Sequence, residues 1–175
     1  MCKAIRALAF AAQVLAACCL FSLSAIAQQP PKELQPPASE QFLLQVHAQG
    51  DQIYTCKADG GQFAWTLKAP EAQLFDQNGK PFGKHFVGPS WEASDGSRVT
   101  GKAVANASSP DADSIPWLLV TVGSRSGDGV LARVTSIQRI NTKGGKAPAS
   151  GCDAAHDGQE HRASYSADYV FFAPK

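Results

Sequence analysis

An excess of charge is what this sequence most plainly lacks: 16 Lys and Arg stand against 15 Asp and Glu in 175 residues. Gripping a phosphate backbone needs a basic surplus, so nucleic acid is excluded as a partner. Long amphipathic periodicity of the helical kind is missing as well, and no internal repeat is visible, which sets aside helical bundles and solenoids. No Gly-x-Ser-x-Gly elbow prepares a serine nucleophile. The run Gly144-Gly145-Lys146 lies in a proline-containing loop and has none of the other residues of a phosphate-binding loop. Cysteine is scarce where a folded domain could use it. Of five, Cys2, Cys18 and Cys19 fall in the first 27 residues, leaving Cys56 and Cys152.

Those first 27 residues have the pattern of a secretory signal, with Lys3 and Arg6 ahead of an apolar run and Ala25-Ile26-Ala27 as a small-x-small site before Gln28. Cleavage is expected between Ala27 and Gln28, giving an exported protein, periplasmic or extracellular, with no membrane span after removal. Two alternatives stay open: an uncleaved anchor, and lipidation at Cys18 within Leu15-Ala16-Ala17-Cys18, which resembles a lipoprotein box. Losing Lys3 and Arg6 and no acid takes the formal charge from +1 to −1. In an oxidising compartment Cys56 and Cys152 are expected to form one bridge, which in the chain-entropy account stabilises the fold by about 4–5 kcal/mol. The alternative is a metal site built on Cys152, His156 and His161.

Residues 28–38 are proline-rich and read as an extended tether with too few apolar residues to pack, so the domain is placed at 39–175. Within it apolar residues alternate. Phe42, Leu44 and Val46 share one strand face, and Phe63, Trp65 and Leu67 are expected inward against Gln62, Thr66 and Lys68. Further strands are expected at 52–57, 71–75, 80–87, 97–105, 117–122, 130–140 and 165–172. The segment 130–140 would also fit a helix face, but its Val, Thr and Ile content favours a bulged strand. About nine short strands joined by Gly-, Ser-, Pro- and Asp-rich loops predict an all-β domain, an antiparallel sandwich or a partly closed barrel.

Several ordered blocks carry a family resemblance. They include Gln52-Ile53-Tyr54-Thr55-Cys56-Lys57, Phe63-Ala64-Trp65-Thr66-Leu67-Lys68-Ala69-Pro70, Gly83-Lys84-His85-Phe86-Val87-Gly88-Pro89-Ser90-Trp91-Glu92, Ile115-Pro116-Trp117 and the run from Gly144 to Cys152. Together they resemble a family of secreted proteins catalogued as domain of unknown function 3455, over roughly Leu34 to Phe172. The resemblance implies export and one compact domain, and it implies no chemistry.

The stretch from Lys80 to Lys102 concentrates what chemistry the sequence offers. His85, Trp91, Glu92 and Asp95 stand close together between the bends at Gly83, Gly88, Pro89 and Gly96, and they form the candidate ligand-binding set. Trp65 and Trp117 are expected in the core. Trp91 fits equally a core filler or an exposed platform for a sugar or other flat ligand. Glu92 and Asp95 could pair as carboxylates, although Asp95-Gly96-Ser97 is an ordinary turn. One functional reading is a non-catalytic binding module for a small molecule, saccharide or envelope partner, needing no cofactor. The alternative is a zinc- or copper-dependent hydrolytic or redox enzyme in which His47, His85 and His156 gather around a divalent metal, with Glu92 or Asp153 beside it.

Overall fold

The computed structural model describes residues 29–175, so the leader, the Ala27–Gln28 junction and Cys18 lie outside the described residues. Eight strands follow in chain order: β1 (Glu40–Asp59), β2 (Gln62–Phe75), β3 (Pro81–Phe86), β4 (Ser90–Ala93), β5 (Arg98–Ala107), β6 (Trp117–Ser126), β7 (Ser136–Gly144) and β8 (Glu160–Pro174). Each pairs antiparallel with the next, and β8 returns to β1 along a ladder from Glu40–Pro174 to Thr55–Glu160. The all-β expectation is met by one antiparallel sheet closed on itself, not by two facing sheets. Nine expected strands become eight through two mergers and one addition: 52–57 continues the strand of Phe42, 62–68 runs on through Pro70 into 71–75, and Ser90–Ala93 is new. The bends around that added strand concealed it.

Alternation sorts each strand into an inner and an outer face. Val46 and Ala48, Ala72 and Leu74, Trp91, Val120 and Val122, Ile137, and Tyr169 and Phe171 are all buried in one cluster that fills the ring. One end of the ring is stoppered by the connection between β6 and β7. Val130–Ile140 is therefore not one strand: Val130 is exposed, Leu131 and Val134 are fully buried in the ring cluster, and pairing resumes only at Ser136. The reason lies in where the backbone donors go. Asp95 Oδ2 accepts the Val130 N–H (2.8 Å) and Ser97 Oγ accepts that of Leu131 (3.1 Å), so these amides need no strand neighbour. The approach is close enough that a Cβ on Gly129 would stand 2.2 Å from Asp95 Oδ2.

Two further expectations are corrected. The proline-rich segment does pack: Leu34, in the short 3-10 turn Lys32–Leu34, is 0% exposed against Trp117 and Leu119, and its carbonyl accepts from Gln138 Nε2. A single leucine anchors a segment whose composition reads as unpacked. The face of Phe63, Trp65 and Leu67 is not a core face, because β1 and β2 run on beyond the ring as a projecting arm. Leu67 is 51% exposed and Trp65 half-buried, with its Nε1 donating to Ser150 O (3.0 Å). The disulfide between Cys56 and Cys152, with Cα atoms 5.3 Å apart, ties this arm to the loop after β7.

Leu34→Ala is expected to lower unfolding free energy by about 2–5 kcal/mol, read from urea midpoints at unchanged slope. Ser97→Ala leaves the buried Leu131 amide unpaired and is expected to cost about 1–3 kcal/mol by the same measurement. A loss within about 0.5 kcal/mol of zero in either variant, the range of ordinary surface changes, would contradict the packing described.

Candidate functional site

His85 and Trp91 are register partners across β3 and β4, so both side chains enter the ring at the same level. Their rings stack at 4.4 Å between centroids, 17° from parallel, and Tyr169 meets the His85 ring at 4.9 Å and the Trp91 ring at 5.4 Å, edge-on to the latter. The imidazole Nδ1 donates to Ser90 O at 2.8 Å, which leaves Nε2 as the unprotonated, accepting nitrogen. Burial pushes the His85 pKa down from 6.5 to about 3. The bond to Ser90 opposes this and the positive charge of Arg139 adds to it. The ring is therefore neutral throughout the physiological range.

Beyond these rings, at the end of the ring away from the Leu131 stopper, opens a cavity of about 570 Å³ whose lining includes His85. Its apolar wall includes Leu67, Pro70, Ala103 and Leu118. Gln52 and Arg139 enter it from β1 and β7, each by simple alternation: Gln52 follows Val46, Ala48 and Gly50 on the inner face, and Arg139 follows Ile137. Arg139 Nε and Nη2 both donate to Pro116 O, at 3.2 and 2.8 Å, which holds the guanidinium at the cavity wall. Gln52 is 2% exposed and its Nε2 has no hydrogen-bond partner among the described residues. The Tyr165 hydroxyl lies within loose hydrogen-bonding reach of the Gln52 side chain, which lowers the phenol pKa slightly against burial, but the contact falls short of hydrogen-bond geometry at Nε2. Around the same interior, burial pushes the phenols of Tyr54, Tyr165 and Tyr169 up, with Arg139 opposing in each case.

The candidate ligand set divides. His85 is on the cavity lining, whereas Trp91 is 1% exposed and sits in the core, so it is no platform for a sugar. Glu92 lies between inward Trp91 and Ala93, hence on the outer face, where it pairs with Lys84 at 2.9 Å. Asp95 clamps the stopper. The Ser97 hydroxyl, then the amides of Val130 and Ser97, hold its carboxyl below the usual range.

The three histidines of the metal reading are each engaged separately. His47 Nδ1 pairs with Asp168 at 2.9 Å on the outer face, His85 is inside, and His156 Nδ1 meets Asp153 at 2.6 Å in the turn Ala154–His156. Among the described residues no group of three or more His, Cys, Asp or Glu side chains could hold a metal ion. Cys152 is spent in the disulfide, so the alternative set of Cys152, His156 and His161 has no thiolate to offer a metal. Gln52 and Arg139 were not among the expected site residues. The signal for both was present, since each continues an alternating inner face, but polar residues in such positions are conventionally assigned outward.

A family model described as "Protein of unknown function (DUF3455)" matches residues 37–173. No curated protein and no solved structure matches the chain.

The depressed His85 pKa has a defined sign in stability. Below pH 6.5 the unfolded chain takes up a proton that the native ring refuses until about pH 3, so stability is full above that window and falls as pH drops through it. The limiting contribution is about 1.4 kcal/mol per pH unit. His85→Gln, which keeps a donor for Ser90 O, is expected to be less stable at pH 7.5 yet to lose less stability between pH 6 and 4. Urea unfolding across that range decides it, because every other titratable group is common to both proteins and cancels in the comparison; equal slopes would refute the assignment.

Proposed function

From the premise that this chain belongs to the DUF3455 family, whose function is unknown, we propose that it is a non-catalytic, exported binding module that holds one small organic molecule in the open end of its ring. The observation that carries the reading is the cavity itself. A ring of eight strands leaves room for side chains or one small ligand, and here one end is filled by Leu131 and Val134 while the other holds about 570 Å³ lined by apolar groups with a few polar ones. That size and composition match small-molecule sites, which span roughly 300–1,000 Å³.

Two considerations favour binding over catalysis. General acid–base work needs a group that titrates near the working pH, and His85, with a pKa of about 3, is far from it. The imidazole Nδ1 is held by a backbone carbonyl, and no carboxylate stands beside the ring to raise its basicity against the burial. Export is supported by the disulfide, which persists in oxidising compartments. A saccharide loses its support with the burial of Trp91.

The neutral dye N-phenyl-1-naphthylamine, which brightens in apolar sites, is expected to bind the wild-type protein saturably. Leu118 faces Arg139 across β6 and β7 on the cavity wall. Leu118→Trp should fill the space and weaken dye binding at least about tenfold, on the order of 1.4 kcal/mol, while still unfolding cooperatively in urea. Absent dye binding to wild type, or equal binding to a folded variant, would defeat the reading.

A further inference from the structure

We infer that the molecule held in this cavity is an amphipathic carboxylic acid, its carboxylate seated on Arg139 and Gln52 and its apolar body lying along Leu67, Pro70 and Leu118. The inference rests on the binding reading above and adds the chemical class of ligand. Its first support is the Gln52 amide, an N–H donor at a residue 2% exposed, on the cavity lining, with no partner among the described residues. Leaving such a donor unmet forfeits the hydrogen bonds it makes to water in the unfolded chain. An acceptor supplied from the cavity removes that cost.

The second support is independent. Arg139 spends Nε and Nη2 bonds on Pro116 O, comes within hydrogen-bonding reach of the Tyr169 phenol and makes no ion pair among the described residues, while its charge is felt by the interior phenols and His85. Lys68 and Lys102 add positive charge to the lining, which contains no carboxylate of its own. Lys68 is already paired with Glu160, outside the cavity. A neutral His85 adds no charge. One half-buried guanidinium with an amide donor in the same cavity suits a planar monoanion, which Arg can engage through two parallel N–H bonds. The apolar wall excludes a ligand that is polar throughout. A phosphate dianion would need more buried donors than Arg139 and Gln52 supply, since Lys68 and Lys102 are exposed.

The test titrates the full folded domain directly by calorimetry with 1-naphthoate and 1-naphthamide, which share ring and size and differ in charge, and with 1-naphthyl phosphate. Wild type should bind 1-naphthoate at least about tenfold more tightly than 1-naphthamide, and the preference should shrink in 0.5 M NaCl. Arg139→Met should abolish the preference. Gln52→Leu should reduce it several-fold without loss of stability, since it removes an unpaired buried amide. Equal affinity for acid and amide, a preference surviving in Arg139→Met, or tighter binding of the phosphate each overturns the inference. Binding of the neutral dye, measured separately, then shows whether the cavity reading survives that failure or falls with it.

Discussion

The ladder between β1 and β8 is the contact on which the rest of the molecule depends. Without it the sheet would present two long unpaired edges, a standing template for pairing with other chains. With it every strand has two neighbours and the sheet acquires an inside. Closure gives the alternating patterns a meaning, because inward now names one shared volume. Val46 and Ala48 on β1, Tyr169 and Phe171 on β8 and Ile137 on β7 share it. The ladder also extends past the ring, through Ile53–Arg162 to Thr55–Glu160, and so builds the base of the arm that overhangs the open end. Outside, Arg162 bridges Asp51 and Glu71, joining β8, β1 and β2 at that level with exposed ion pairs that contribute little individually.

Inside the ring, stability and the proposed function draw on the same residues in different ways. The stacked rings of His85, Trp91 and Tyr169 form a rigid layer, and neutral His85 contributes shape and one acceptor without charge. Gln52 and Arg139 do the opposite. They place an unmet donor and an unpaired charge where packing would favour neither, a local inconsistency of the kind that marks functional positions. The stopper keeps these costs at one end. Its own backbone is satisfied by Asp95 and Ser97, side chains from the turn between β4 and β5.

Much of the fold was legible in the sequence, and the failures share one cause. Period-two alternation identified nearly every strand, and two cysteines in one domain sufficed to pair Cys56 with Cys152. Alternation divides a strand into faces but does not say which is inner or how far the strand outruns the ring. Trp65, expected in the core, therefore ended on the arm, and Trp91, which fitted either place, in the core. Of the residues singled out together, His85 lies on the cavity lining, while Glu92 points to the outer face and pairs with Lys84. Closeness in sequence is no guide to convergence in a sheet, where neighbours alternate sides. His47 and His156 were joined by residue type alone, and each is paired with its own aspartate, Asp168 and Asp153. Leu34 escaped notice because one buried side chain does not alter the composition of a proline-rich segment.

The asymmetry of the two ends makes this ring a vessel and not a conduit. With Leu131 and Val134 filling one end, no straight path runs through the interior, and whatever enters beside Pro70 and Leu118 must leave by the same opening. Such a geometry suits sequestration or carriage, where occupancy follows the concentration outside. Loading and unloading then share one gateway, bordered by an arm that a covalent crosslink fastens in place.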